Sequence, residues 1–207
     1  MAKMKERFDA MREATLEKIR SAAVRLFSQK GLAATSVAEI AEAAGISTGL
    51  MYRYYKSKEE LFGALVTEAL SGLEQAGQLF EGEASPACAI RMFSEEIIKD
   101  LTDGEEFLQY MMMLSQPFIM NCDFPWMAEI LERDKQLFCQ IASSIERGQK
   151  LGQFKRGDPK QMAQHYFSVI QGVCTMKQFM KDDFNPPTVE MMTAFIIKEE
   201  DNHHEAK

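Results

Sequence analysis

Cysteine is scarce in this chain, and its few cysteines share no spacing that suggests a common site. Four occur in 207 residues, at Cys88, Cys122, Cys139 and Cys174, without a CxxC pair. This pattern disfavours a metal site and a thioredoxin-like motif. Because isolated cysteines are usually small buried apolar residues, we expect reduced thiols, with a redox sensor built from two of them as the alternative.

Long apolar runs are absent as well. No segment approaches 18 consecutive apolar residues, and no apolar stretch follows the charged N-terminal sequence MAKMKERF. Membrane-spanning helices and signal peptides both need such runs, so we expect a cytoplasmic protein without a membrane partner. Sustained period-two alternation with β-branched residues is also lacking, and we therefore predict an all-α fold.

Positively charged residues are outnumbered over the whole chain but not in its N-terminal part. The formal net charge is −7. Residues 1–60 hold eleven Lys and Arg against eight Asp and Glu, whereas residues 61–207 hold thirteen against twenty-three. A basic N-terminal part joined to an acidic remainder is typical of a DNA-binding module attached to a module that does not bind DNA.

The stretch from Thr35 to Leu61, TSVAEIAEAAGISTGLMYRYYKSKEEL, carries the densest set of local signals. Ser36, with Glu39 three residues later, predicts a capping box at the start of one helix. Gly45 supplies the conformational freedom needed where that helix ends. Ser47 then caps a second, short helix that extends through Tyr55.

A third helix follows directly, because Ser57 and Glu60 predict another capping box. Two helices joined by a short Gly-containing turn form a helix-turn-helix unit, whose second helix enters the major groove of DNA. Ser47 and Thr48 can hydrogen-bond base edges or phosphates, and Gly49 permits close approach of the backbone. Side chains suited to phosphate contacts follow at Tyr52, Tyr54 and Lys58. The alternative is a small-residue helix pair in an all-α core.

The segment from about Arg12 to Leu61 resembles the DNA-binding domain of the TetR family of transcriptional regulators. The matching residues are Ile19, Ala22, Ala23, Phe27, Gly31, Thr35, Ser36, Ile40, Ala41, Ala44, Gly45, Ser47, Gly49, Tyr52, Tyr55, Lys58 and Leu61. The resemblance implies groove contacts from Ser47, Thr48 and Leu50. It implies phosphate contacts from Thr35, Ser36, Tyr52 and Lys58, and Tyr54 stands where the family often has His.

Helical periodicity continues through the rest of the chain. Helices are predicted at about 12–30, 58–80, 87–101, 105–114, 126–148, 159–180 and 187–198. Residues 1–11 are either a mobile arm that touches DNA or a frayed end. The predicted organisation is a three-helix helix-turn-helix head with its N-terminal arm, 1–57, on a larger helical-bundle body for ligand binding and dimerisation, 58–200, followed by a tail, 201–207.

The segment GQKLGQFKRGDPKQMAQHYFSVIQGV also resembles TetR-family regulators, at the junction of their last two long helices. In the family the helix that corresponds to 159–180 and the final helix, here 187–198, form a four-helix dimer interface when two chains meet. The resemblance therefore implies a homodimer, with interface positions at Phe167, Ile170, Cys174, Met192 and Phe195.

The body is rich in Met and Phe; the whole chain has 15 and 14. Such an interior can accept an apolar ligand of irregular shape, although a well-filled core is the alternative. The candidate ligand-binding residues are Phe93, Ile97, Tyr110, Met111, Met113, Trp126, Phe138 and His165. The identity of this small-molecule effector is not predicted, and no cofactor or metal is expected, His203 and His204 included.

Catalysis is disfavoured even though Gly45, Ser47 and Gly49 spell GxSxG. That nucleophile motif needs a preceding buried strand, whereas an Ala-rich helix is predicted here. We therefore expect no enzyme. The predicted function is a homodimeric repressor released from its DNA operator by a small apolar or amphipathic ligand, and the alternative is a DNA-binding adaptor whose body docks a protein partner.

Overall fold

The computed structural model describes residues 2–104, 106–119 and 126–198. Nine α-helices lie within these ranges: α1 (Ala2–Ala34), α2 (Val37–Ala43), α3 (Thr48–Tyr54), α4 (Lys58–Glu81), α5 (Pro86–Asp103), α6 (Glu106–Ile119), α7 (Met127–Lys150), α8 (Pro159–Met180) and α9 (Val189–Thr193). A 3-10 turn, Lys181–Asp183, follows α8. The predicted all-α fold is confirmed, and the predictions for Cys122 and for the tail 201–207 lie outside the described residues.

The chain forms two compact units. The N-terminal unit consists of the described residues within 1–71 and 108–130, and the C-terminal unit consists of the described residues within 72–107 and 131–207. The boundary predicted at residue 57 separates a DNA-binding head from a body by function, not by compactness. That division stays a prediction. Over the ranges that the structure describes, no helix is both long and apolar enough to cross a bilayer.

Helix α1 is longer than the sequence suggested. Residues 2–11 belong to it as a helical extension, and a contact of these residues with DNA stays a prediction. Helical geometry breaks at Gly31, which has φ +80° and ψ +165°. A glycine tolerates this conformation at little steric cost, so the predicted stop at Gly31 is confirmed as a break within α1.

Aromatic side chains form the centre of the N-terminal unit. Phe27 of α1 and Phe62 of α4 are buried, with ring centroids 5.1 Å apart in an edge-to-face arrangement. Trp126 lies against the other side of Phe62, with centroids 5.0 Å apart. Edge-to-face and offset pairs are favoured aromatic geometries, so Phe62 links α1 to Trp126.

The C-terminal unit has a second aromatic cluster. Phe93 of α5 lies 5.4 Å from Phe80 and 6.4 Å from Tyr166, centroid to centroid. The Tyr166 hydroxyl is 2.6 Å from the Ser94 hydroxyl, and both residues are buried. Burial disfavours the phenolate and raises the pKa of Tyr166 to about 12.

The last helix is shorter than predicted. Helix α9 ends at Thr193, whereas the sequence pattern suggested a helix from residue 187 to residue 198. Beyond it, the Lys155 N–H donates to the Ile196 carbonyl at 2.8 Å, and the Lys198 N–H donates to the Gln153 carbonyl at 3.1 Å. These antiparallel backbone bonds replace the helix, because the chain gains partners on the α7–α8 connection that a further helical turn would not reach.

Candidate nucleic-acid interface

The start of α2 is fixed by the predicted capping box. The Ser36 hydroxyl accepts the Glu39 N–H at 3.2 Å, and the Glu39 carboxylate accepts the Ser36 N–H at 2.8 Å. The Lys30 ammonium donates to the same carboxylate at 2.7 Å. The bond from Lys30, with those from Ser36, lowers the pKa of Glu39 to about 2.

The turn between α2 and α3 has the predicted geometry. Gly45 has φ +67°, a left-handed conformation that costs other residues about 1–2 kcal/mol. The Ser47 hydroxyl accepts the Leu50 N–H at 3.1 Å and so caps α3. The preceding element is α2 rather than a strand, so Ser47 does not stand on the strand-to-helix turn that a GxSxG nucleophile requires.

Helix α3 has an inward and an outward face. Met51 is fully buried, and Tyr55, the cap at the helix end, is also buried and bonds to Arg20 of α1. Thr48 and Gly49 are exposed on the other face, and Tyr52 is 53% exposed. Nothing lies within 4 Å of the position that a Cβ on Gly49 would take. The face that would meet a DNA groove is therefore small and polar at its start and aromatic further along.

A groove of about 520 Å³ runs beside this face. The starts of α2 and α4 line it together with α3, and its polar lining residues include Ser36, Thr48, Tyr52, Lys56, Ser57 and Lys58. Because helix N-termini leave unsatisfied N–H groups and carry partial positive charge, the start of the 24-residue α4 favours anions there.

The start of α4 departs from the predicted capping box in one respect. The Ser57 hydroxyl accepts the Glu60 N–H at 3.1 Å, as predicted. The Glu60 carboxylate, however, accepts the Lys56 N–H at 2.6 Å. The return bond thus reaches one residue further back and holds the backbone at Lys56.

Two of the predicted phosphate-contacting residues have internal partners. Thr35 is only 1% exposed, and its hydroxyl donates to the Gly31 carbonyl at 2.8 Å. The Lys58 ammonium donates to the carbonyls of Leu32, Ala33 and Thr35, at 2.8, 3.1 and 2.8 Å. The phosphate contacts assigned to Thr35 and Lys58 stay predictions, but neither side chain is as available as its sequence position suggested.

The other predicted DNA-binding residues differ in exposure. Ser36 and Ser47 are exposed, whereas Leu50 and Tyr54 are half-buried. Lys56, which the sequence analysis did not name, is exposed and lines the same groove. Lys56 was missed because the resemblance covers Lys58 but not its neighbour. Its position next to the cap residue Ser57 was the available signal.

The candidate ligand-binding residues fall into two sets. Tyr110, Met111, Met113 and Trp126 belong to the N-terminal unit, and Phe93, Ile97, Phe138 and His165 belong to the C-terminal unit. In the first set Met113 is buried, and in the second Ile97 is buried while His165 is exposed beside the Phe195 ring at 4.3 Å. A ligand site formed by these residues stays a prediction.

The predicted dimer residues mostly have partners within one chain. Ile170, Cys174 and Met192 are buried, and the Phe167 ring stacks on Phe138 at 6.0 Å. Burial also raises the pKa of Cys174 to about 11, which disfavours a reactive thiolate. The exposed apolar side chains of α8 are instead Met176, Phe179 and Met180.

A capped α2, a glycine turn and an α3 with an exposed polar face define the class: a helix-turn-helix, DNA-binding transcriptional regulator. Comparison with known proteins then indicates a family. Residues 19–65 match the model of the bacterial regulatory proteins of the tetR family. The match covers the N-terminal part of the chain, which is therefore similar to the DNA-binding part of the TetR family of transcriptional regulators.

Individual proteins are similar over more of the chain. Over 145 residues the chain is 29% identical to the uncharacterized HTH-type transcriptional regulator YhgD of Bacillus subtilis (strain 168), covering 69% of this chain and 73% of that protein. The fold is similar to that of SmeT, the repressor of the Stenotrophomonas maltophilia multidrug efflux pump SmeDEF. Against its triclosan complex the TM-score is 0.66, with 21% identity over 90% of this chain and 93% of that one.

AibR, in complex with isovaleryl coenzyme A and operator DNA, has a TM-score of 0.63 and 21% identity, over 87% of this chain and 94% of that chain. At these identities SmeT and AibR show a shared fold alone.

Proposed function

We propose that the protein is a homodimeric repressor that a small apolar or amphipathic ligand releases from its operator. The observation that carries the proposal is the outward face of α3, where Thr48, Gly49 and Tyr52 are exposed beside a groove whose lining includes Lys56 and Lys58. The proposed location is the cytoplasm, where operator DNA is accessible.

DNA binding follows from the shape and chemistry of that face. Helix α3 enters the major groove, where Ser47 and Thr48 meet base edges or phosphates and Gly49 allows close approach of the backbone. Tyr52 and the start of α4 hold phosphates on the flank of the groove. Two copies of α3 in a dimer contact successive major grooves about 34–36 Å apart, so the operator is a pseudo-palindrome.

Dimerisation is proposed to use the exposed face of α8. Phe179 is 78% exposed, and Met176 and Met180 are 49% and 41% exposed. Gly172 lies on the same helix with nothing within 4 Å of its missing Cβ, so a second helix can approach closely there. A cluster of exposed large apolar side chains marks a surface that a partner covers, and a second copy of α8 supplies an equally apolar surface.

Ligand release rests on the Met- and Phe-rich composition of the chain and on the similar structures. SmeT binds triclosan and AibR binds isovaleryl coenzyme A, two ligands with apolar parts. A ligand of this kind acts by favouring a dimer arrangement in which the two α3 helices no longer match successive grooves. A complete switch requires about 5.5 kcal/mol of difference in binding free energy between the two arrangements.

The dimer is tested by sedimentation equilibrium of wild type, Phe179→Asp and Met191→Asp. The two variants add the same charge, and Met191 is 70% exposed but lies on α9 rather than α8. We expect wild type and Met191→Asp to be dimers, and Phe179→Asp to dissociate and lose affinity for a palindromic duplex. A monomeric wild type, or equal behaviour of the two variants, would overturn this interface.

Release is tested by fluorescence anisotropy of labelled upstream DNA with a panel of apolar and amphipathic compounds that includes triclosan. At least one compound should free the DNA while the protein stays folded and dimeric. If no compound does, the result favours the alternative function, a DNA-binding adaptor. In that case an exposed apolar surface of the body would bind a protein partner instead of a small molecule.

A further inference from the structure

Two lysines line the groove beside α3, and their surroundings differ. Lys58 is half-buried, and its ammonium donates three hydrogen bonds to backbone carbonyls of residues 32, 33 and 35. Lys56 is exposed, and its ammonium has no partner in the parts of the chain that the structure describes. An ammonium has three N–H groups and no acceptor, so Lys58 has no donor left for a phosphate without breaking an internal bond.

We propose that Lys56 is the phosphate-contacting lysine of this groove, and that Lys58 is a positioning residue that holds the groove in shape. The proposal rests on the operator binding proposed above. It assigns one phosphate contact of that binding to a particular residue.

The bonds of Lys58 explain how it acts through its neighbours. The three carbonyls belong to the chain between the break at Gly31 and the cap of α2. Carbonyls at a helix end lack partners within the helix, and a basic side chain commonly satisfies them. Lys58 stands in the first turn of α4, so its bonds tie the start of α4 to the residue that directly precedes the α2 cap Ser36. The distance between the two helix starts that line the groove is thereby fixed.

The backbone around Lys56 is equally well defined. Its N–H donates to the Glu60 carboxylate at 2.6 Å, and Ser57, the next residue, accepts the Glu60 N–H. Glu59 also lines the groove and brings a negative charge to it. A phosphate near Glu59 needs a cation that can reach it, and Lys56 offers a long, mobile side chain with all three donors available.

The first test is lysine acetylation of the wild-type protein, read by mass spectrometry with and without its upstream duplex. Lys56 should be modified readily in the free protein and protected by DNA. Lys58 should react slowly in both states, because its ammonium is engaged. A Lys58 that reacts in the free protein and is protected by DNA, or a Lys56 that DNA leaves unprotected, would overturn the assignment.

The second test compares Lys56→Met with Lys58→Met, two variants that each remove one positive charge from the same groove. The logarithm of the binding constant falls with the logarithm of salt concentration by about 0.9 for each phosphate contact. Lys56→Met should reduce that slope by about 0.9 per subunit and leave Tm unchanged. Lys58→Met should keep the slope, lower the affinity at every salt concentration, and lower Tm by about 2 °C or more.

The outcomes separate this inference from the proposed function. A reduced slope for Lys58→Met together with an unchanged slope for Lys56→Met would exchange the two roles and refute the inference while operator binding stands. A folded wild type that binds no duplex refutes the proposed function itself. If Lys58→Met does not fold, the acetylation of wild type still decides whether Lys58 meets DNA.

Discussion

The two units of the molecule differ in the length of the helices that form their exposed faces. In the N-terminal unit α2 and α3 have seven residues each, whereas α5 and α8 of the C-terminal unit have 18 and 22. Helices of seven residues are not stable alone in water. Caps at Ser36 and Ser47 and the bonds of Lys58 therefore decide where α3 lies, in addition to the core beneath it.

The exposed surfaces of the two units differ in polarity. The N-terminal unit presents hydroxyls, a glycine and a tyrosine on α3, next to a groove with two lysines. The C-terminal unit presents Met176, Phe179 and Met180 on α8. In the N-terminal unit, polar bonds at helix ends shape a surface that suits a charged partner. In the C-terminal unit, the apolar face of α8 suits an apolar partner.

The largest expected effect is on the core of the N-terminal unit. Phe62→Ala removes the ring that contacts both Phe27 and Trp126, so we expect a loss of about 3–5 kcal/mol in the free energy of unfolding. Trp126 is the single tryptophan of the chain, and its fluorescence in urea reports this unit directly. Tyr52→Ala, which removes an exposed ring, is the control and should change stability by about 0.5 kcal/mol or less. Equal losses in the two variants would contradict the central place of Phe62.

A smaller effect is expected from a crowded glycine of the C-terminal unit. Gly148→Ala would place a methyl group against the Phe154 ring, and we expect a loss of about 1–3 kcal/mol. Gly72→Ala, on α4 with nothing within 4 Å of the new Cβ, makes the same change in open space. It should be neutral or stabilising by up to about 1 kcal/mol. Urea unfolding followed by far-UV circular dichroism measures both, and a neutral Gly148→Ala would show that Phe154 yields without cost.

The smallest expected effect is a pH dependence of the N-terminal unit. The pKa of Glu39 is lowered from about 4.5 to about 2 by its bonds to Lys30 and Ser36. Its contribution to stability is therefore complete above about pH 4.5 and is lost as the pH falls towards 2. Wild type should lose thermal stability more steeply than Glu39→Gln between pH 4.5 and 2. Glu42→Gln, on the same helix, is the control and should follow wild type; parallel curves for all three would refute the role of Glu39.

Much of the N-terminal unit could be predicted because its signals are local. The capping box at Ser36, the cap at Ser47 and the left-handed Gly45 each need only residues within a few positions of each other. The partners of Lys58 could not be predicted in this way. Its acceptors lie more than twenty residues earlier, so they appear only when α1 and α4 pack together.

The C-terminal unit shows where sequence patterns are insufficient. Periodicity placed α5, α7 and α8 well but extended α9 too far, because Ile196 and Ile197 suit a helix as well as the bridge to the α7–α8 connection. An apolar stripe in the sequence also does not show whether it packs within its own chain or remains exposed. Met192 packs inside its own chain and Phe179 is left exposed, although both belonged to equally apolar segments.

DNA binding through α3 is tested most directly by titrating the purified protein with its own upstream DNA, beside a scrambled duplex and the Tyr52→Ala variant, at two salt concentrations. Wild type should bind saturably, prefer the upstream duplex and weaken as salt rises. Tyr52→Ala should bind about tenfold or more weakly, since a hydrogen bond to a charged group contributes about 1.5–3 kcal/mol. A folded wild type that binds neither duplex at either salt concentration would contradict DNA binding by this helix-turn-helix.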